Sequence, residues 1–247
     1  MGRSMNFLAI STFNAEGLSL YGRRMASSFL KNWPMTVPLR IYSEGWRENI
    51  ASEELDLYQS SRWLAEFKER HKSRKYKDYR WDAIRFAHKV AAVCHAARSD
   101  ADVVIWLDGD IVTHSPINID ELDSLSPSGD EWVAWLDRIN IYPECGFYML
   151  NCRHPRHIEM INALQGIYED DKLFSLPEWH DCFVLQSLVQ STGIRTKSLS
   201  GSGRKTSHPL VNGPLGKWLD HLKGRRKQLG RTNKHELSVK RSEDYWR

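Results

Sequence analysis

Short apolar runs along the chain alternate with longer stretches whose apolar residues recur at helical intervals. Residues 7–13 form a first strand-like run and residues 39–42 a second. Between them, from about Leu18 to Lys31, Leu20, Met25, Phe29 and Leu30 supply the apolar positions of a helix, and Pro34 and Pro38 bracket a turn. Strand, helix and strand with a short return predict a βαβ unit and hence a parallel sheet. A helix is predicted from Asp82 to about Arg98, with Ile84, Ala87, Ala91 and Cys94 on one face and Asp82 at its positive end. Arg85 and Lys89, four residues apart, share an adjacent face.

Residues 103–107, Val-Val-Ile-Trp-Leu, read as a strand buried on both faces. Further on, 117–125 predicts a short helix, 132–136 and 145–150 two strands, 158–168 and 182–189 two helices, and 194–196 a last strand. Residues 61–80 read as a solvated helix and loop. The pattern as a whole predicts an α/β fold with a mostly parallel central sheet and helices on both faces. One domain is expected over residues 1–224, followed by a basic C-terminal tail, 225–247.

A chain of 247 residues can bury a full core, and 41% hydrophobic content is globular. No stretch approaches the roughly 18 apolar residues that span a bilayer. The start, Met1-Gly2-Arg3-Ser4-Met5, runs into the first strand without the apolar region and cleavage site of a signal peptide. Cys94, Cys145, Cys152 and Cys182 show neither C-x-x-C nor zinc-type spacing, so free thiols in a reducing cytoplasm are expected. The net charge of +4 hides an asymmetry: residues 195–247 carry 14 Lys and Arg against 4 Asp and Glu. A basic end of this kind points to an anionic partner, whether phosphate, nucleic acid or a peripheral membrane contact. Lys68, Arg70, Lys72, Arg74, Lys75, Lys77 and Arg80 interleave with Tyr76, Tyr79 and Trp81, a composition that also allows stacking on bases or sugars.

The candidate chemistry begins where the buried strand ends, at Asp108-Gly109-Asp110. Ligands of open α/β sheets bind at the carboxyl ends of the strands. Side chains at i and i+2 of an extended chain point the same way, so both carboxylates can face one cation. Oxygen ligation suits Mg²⁺ or Mn²⁺, which share their remaining positions with phosphate oxygens. Glu144-Cys145-Gly146 places a carboxylate and a glycine before another buried run, and Glu144 could hold sugar hydroxyls there. Asp181 stands at a loop-to-helix junction, as an N-cap or as a group beside a reacting sugar. His208 is a candidate third metal ligand, and Lys217 a candidate phosphate partner, in a segment rich in Gly, Pro and basic residues.

Taken in order, these residues resemble a GT-A nucleotide-diphospho-sugar glycosyltransferase, closest in layout to glycosyltransferase family 8 and its bacterial relatives. The resemblance spans about residues 6–223. It implies that Asp108, Asp110 and His208 bind Mn²⁺ or Mg²⁺, which holds the diphosphate of a donor such as a UDP-sugar. It places Thr12 and Tyr21 at the nucleobase, Arg85 and Lys89 near the diphosphate or donor sugar, and Asp181 and Glu144 near the anomeric carbon. His208 followed by Gly213, Lys217 and Trp218 stands, loosely, where the family carries His-x-x-Gly-x-x-Lys-Pro-Trp. Transfer to a glycan or other hydroxyl acceptor is implied, with retention following from the family layout. A modified DNA base as acceptor and a noncatalytic nucleotide-sugar-binding protein are the alternatives.

Overall fold

A computed structural model describes residues 5–247; Met1–Ser4, part of the start read above, lie outside the described residues. The central sheet has seven strands in the order β3-β2-β1-β4-β7-β6-β8. These are β1 (Phe7–Asn14), β2 (Leu39–Glu44), β3 (Glu53–Asp56), β4 (Val103–Leu107), β6 (Glu131–Arg138), β7 (Ile141–Asn151) and β8 (Arg195–Ser198). Only β7 runs against its neighbours. A separate antiparallel pair joins β5 (Ile111–Thr113) to β9 (Leu219–His221).

Alternation along the strands sends side chains into two cores. Leu8, Ile10, Val104 and Trp106 face the helices Arg62–His71, Ala83–Ala96, His157–Glu169 and Asp181–Thr192. Phe7, Ala9, Val103 and Ile105 face the helix Arg23–Asn32 and the segment 199–246. Both faces of β4 are therefore covered, which explains its unbroken apolar run. Ala87, Ala91 and Cys94 of the helix Ala83–Ala96 are buried on the face expected from their spacing. The helix Arg62–His71 is less solvated than its charge suggests, because Trp63, Leu64 and Phe67 are buried against the first core. No helix is long and apolar enough to cross a membrane among the described residues.

Residues 225–247, expected as a tail, lie on the domain. Trp246 is 4% exposed and donates its indole N–H to the Gly216 carbonyl at 2.8 Å. The Tyr245 hydroxyl donates to Asp220 at 2.8 Å, and the Arg241 guanidinium donates to the Val211 carbonyl. Arg226 pairs with Glu236 at 2.6 Å. Many of the basic residues thus already have partners within the chain, which is why the segment is ordered despite its low apolar content.

The strand order reverses direction between β1 and β4: the chain leaves β1 for β2 on one side and returns to β4 on the other. The carboxyl ends of two such strands leave a crevice between the loops that follow them. Thr12 and Asp108 stand on its two sides, at the ends of β1 and β4.

Candidate active site

A cavity of about 630 Å³ opens at this crevice. Thr12, Tyr21, Arg85, Lys89, Asp108, Asp110 and Asp181 all line it, seven of the residues expected from the sequence. At one end the Thr12 hydroxyl lies 2.7 Å from the Tyr42 carbonyl and 3.1 Å from Glu44. Tyr21 sits on a π-helical turn, Leu18–Gly22, between the short helix Ala15–Gly17 and the helix Arg23–Asn32. Such turns widen a helix locally and often mark sites. Burial, then the nearby Asp110 carboxylate, pushes the Tyr21 phenol up to about 12, so it stays protonated as a donor. Phe13 stacks on Trp46 with ring centroids 5.3 Å apart, and meets Tyr21 edge-on.

The triplet forms the floor. Asp108 accepts from the Trp106 indole at 2.7 Å and pairs with Lys89 at 3.0 Å. Gly109 is required between the acids, because a Cβ there would press within 2.7 Å of Phe13 and 2.8 Å of Tyr21. Asp110 is almost buried and holds two cationic partners, His221 at 3.0 Å and Lys227 at 3.1 Å. Burial opposes its charge, but His221 and Lys227 overcome this and hold the carboxyl well below its ordinary value.

The histidine standing with the two carboxylates is His221, not His208. Ligand atoms of Asp108, Asp110 and His221 lie within 4.8 Å of one another. The pairing of β5 with β9 sets His221 directly across from Ile111, the residue after Asp110. His208 faces away, with Nε2 3.2 Å from the His221 carbonyl and Nδ1 buried without a partner. Its burial pushes its pKa down to about 4, so it is neutral.

Glu144 likewise differs from its expected place at the sugar. It is 2% exposed, does not line the cavity, and meets the Nδ1 side of His221 at 2.7 Å. Lys223 reaches the same carboxylate at 3.1 Å. The Glu144–Gly146 segment lies where the β6–β7 register slips, from Trp135 opposite Tyr148 to Leu136 opposite Glu144. That slip turns Glu144 toward His221. Gly146 makes room for the imidazole, since a Cβ would run into its Cε1 and Nδ1 atoms. Burial works against a charged His221, yet Asp110 and Glu144 outweigh it and push its pKa up to about 9.

Lys89 is 7% exposed and links three groups: Asp108 at 3.0 Å, Asp181 at 2.6 Å and the Cys145 carbonyl at 2.5 Å. Asp181 is the first residue of the helix Asp181–Thr192 rather than its N-cap; His180 is the cap and accepts from the Phe183 N–H. Lys217 is exposed, lies outside the cavity and sits 5.4 Å over the Trp218 ring.

His221 and Lys227 were missed by the sequence reading, although a signal was present. His221-Leu222-Lys223-Gly224-Arg225-Arg226-Lys227 has the His-x-x-Gly-x-x-Lys spacing in full, which the segment from His208 matches only loosely. Gly224 has a φ of 58°, in the left-handed region that favours glycine. Its turn leads from β9 into the short helix Arg226–Leu229 and brings Lys227 back over Tyr21, 4.6 Å from the ring centre.

The sheet order, the crevice and the acidic floor together give the chain the fold of GT-A-type glycosyltransferases. Among solved structures, the chain is similar to mouse xyloside xylosyltransferase 1 in its apo form, with a TM-score of 0.54 and 12% identity over 79% of this chain and 86% of that one. It is also similar to the bifunctional glycosyltransferase WbbM, apo, with a TM-score of 0.47 and 11% identity over 80% of this chain and 39% of that one. An active-site mutant of LgtC gives a TM-score of 0.48 and 14% identity over 73% of this chain and 69% of that one. No family model matches the sequence, and neither does any curated protein.

Proposed function

We propose that the protein is a metal-dependent glycosyltransferase that moves a sugar from a nucleoside-diphosphate sugar, a UDP-sugar first among candidates, to a glycan or other hydroxyl acceptor. The observation that carries this reading is the group of Asp108 and Asp110 on the cavity floor at the strand switch point, with His221 buried directly behind them. The donor set fits a divalent ion. Two carboxylates and an imidazole converge, and Glu144 behind His221 leaves Nε2 facing the carboxylates. Carboxylates that orient a ligating histidine in this way are a regular part of metal sites. The imidazole favours Mn²⁺ over the harder Mg²⁺.

Such an ion supplies charge to the diphosphate leaving group, as a Lewis acid and template. The chain's own residues supply the rest. Thr12 and Tyr21 offer polar contacts, and Phe13 an aromatic wall, to a nucleoside at the far end of the cavity. Lys227 and Arg85 add positive charge where phosphate oxygens would lie. Lys89 holds Asp181 ionised beside the acids, against its burial, and so presents a fixed negative charge to a sugar carbon gaining positive character. Retention of configuration is the course that the resemblance to family 8 implies, and Asp181, paired with Lys89 on the cavity wall, is the carboxylate assigned to the sugar in that reading.

The test is a screen of UDP-, GDP- and dTDP-sugars for slow donor hydrolysis with and without Mn²⁺, which needs no acceptor. Metal-dependent turnover of one donor supports the reading. Calorimetric binding of UDP with Mn²⁺ but no turnover of any donor would favour a noncatalytic nucleotide-sugar-binding protein instead.

A further inference from the structure

We propose that Cys145 and Cys182 form a reversible disulfide pair, a modification site beside Asp181 of the cavity wall that takes a two-electron oxidant of the peroxide class. Cys145 lies on β7 and is 1% exposed, whereas Cys182 is the second residue of the helix Asp181–Thr192 and is half-buried. Their sulfur atoms and a carboxylate oxygen of Asp181 lie within 4.8 Å of one another. The thiols differ in character. The hydrogen bond from Cys145 pulls Cys182 down to about 7 against its burial, with His180 assisting. Burial, with the same hydrogen bond, pushes Cys145 well above its ordinary value. Cys94 and Cys152 are each pushed up to about 12 by burial, so neither competes as a nucleophile.

A half-buried thiol of lowered pKa, here donating to Asp181 at 3.6 Å, beside a fully sheltered one is the arrangement of an attacking and a resolving cysteine. The Cys182 thiolate attacks one oxygen of hydrogen peroxide, the O–O bond breaks, and a sulfenic acid forms as the departing hydroxide takes a proton to give water. Cys145 sulfur then attacks Cys182 sulfur; the S–S bond forms, the S–O bond breaks, and the thiol proton leaves with the hydroxyl as a second water. Two thiols lose two electrons, and one peroxide becomes two waters. A dithiol reductant reverses the step by exchange.

Closure would reach the charge cluster. A disulfide holds its sulfurs about 2.05 Å apart, closer than any hydrogen-bonded thiol pair. Cys145 belongs to a strand paired on both sides, so the helix end is the part free to move. Asp181 precedes Cys182 and is the partner of Lys89, which also donates to the Cys145 carbonyl. Bond formation therefore shifts Asp181, the neighbour of Cys182, against Lys89 and disturbs the ion pair that shelters the amine.

The full reduced chain, treated with one equivalent of hydrogen peroxide, then denatured, alkylated and peptide-mapped, tests the pairing. The expected map links Cys145 to Cys182, leaves Cys94 and Cys152 alkylated, and returns to four alkylated cysteines after dithiothreitol. Four free thiols after peroxide, or a link through Cys94 or Cys152, would overturn it. Cys182→Ser, at a half-buried position, should form no link. Labelling with an amine reagent reads the coupling: Lys89 should react several-fold faster in the oxidised protein, and unchanged protection overturns that part. Neither readout needs donor or metal, so both stand apart from the proposed transferase activity.

Discussion

Nδ1 of His221 lies 2.7 Å from Oε1 of Glu144, and this pairing turns Nε2 toward Asp110 at 3.0 Å. One buried carboxylate thus sets which nitrogen of a histidine faces two others. On the proposed function, Glu144 acts through His221, as a positioning residue. Replacing Glu144 with Gln keeps the shape but weakens the acceptor. The Mn²⁺ affinity should fall by about 10–100-fold, the usual cost of losing a partner behind a metal ligand. Mn²⁺ titration followed by electron paramagnetic resonance checks this, and an unchanged affinity would contradict the role given to Glu144.

The two histidines separate cleanly by mutation. His221→Ala should remove Mn²⁺ binding and donor hydrolysis together. His208→Gln should leave Mn²⁺ affinity near wild type while lowering stability by about 1–3 kcal/mol, the range for disturbing a buried polar group. Denaturant unfolding alongside the metal titration distinguishes the two. Loss of metal binding in the His208 variant would restore the ligand set expected from sequence.

Gly146→Ala tests the space reserved for the imidazole. The added methyl must displace His221, because the nearest atoms belong to its ring. A stability loss of about 1–3 kcal/mol is expected from overpacking, with Mn²⁺ affinity reduced as well. A variant that binds the ion normally would show that His221 can retreat without cost.

Acid should weaken the fold through His114 and His208. Burial pushes each imidazole down to about 4 from 6.5. Between those values the unfolded chain takes protons that the folded chain refuses, so stability falls as pH drops from about 6.5 to about 4. Above 6.5 neither residue contributes. His114 stacks on Tyr245 with centroids 4.1 Å apart, so His114→Phe keeps an aromatic ring there. Its unfolding free energy should depend less steeply on pH across that window, as measured by urea titration at several pH values.

The C-terminal segment should also count in stability. Trp246→Ala removes a buried side chain and its bond to Gly216, for a loss of about 3–5 kcal/mol. Thermal and urea unfolding measure it, and a loss under 1 kcal/mol would mean that residues 225–247 stand free of the domain in solution.

What the sequence disclosed depended on how locally each signal was written. β4 and its two acids were legible because burial on both faces leaves five consecutive apolar residues, and the acids follow at once. The helix Ala83–Ala96 was legible from period and cap. β3 was not, since Glu53-Glu54-Leu55-Asp56 is a half-exposed edge strand with no apolar face. β5 and β9 were too short for any period, three residues each, and their pairing alone unites His221 with Asp110. The placing of Glu144 depended on a register slip within a hairpin, which no pattern of residue types encodes.

Lys227 gives the acidic floor a further property. Its ammonium group rests on Asp110 and over Tyr21, inside the cavity. On the proposed function, a divalent ion held by Asp110 would have to compete with this resident positive charge, and the displaced amine would be left for an anion that arrives with the ion. Ion and diphosphate would then strengthen each other's binding, since linkage makes such help mutual. In that reading Lys227 would give way to the ion at Asp110 and become a partner for phosphate.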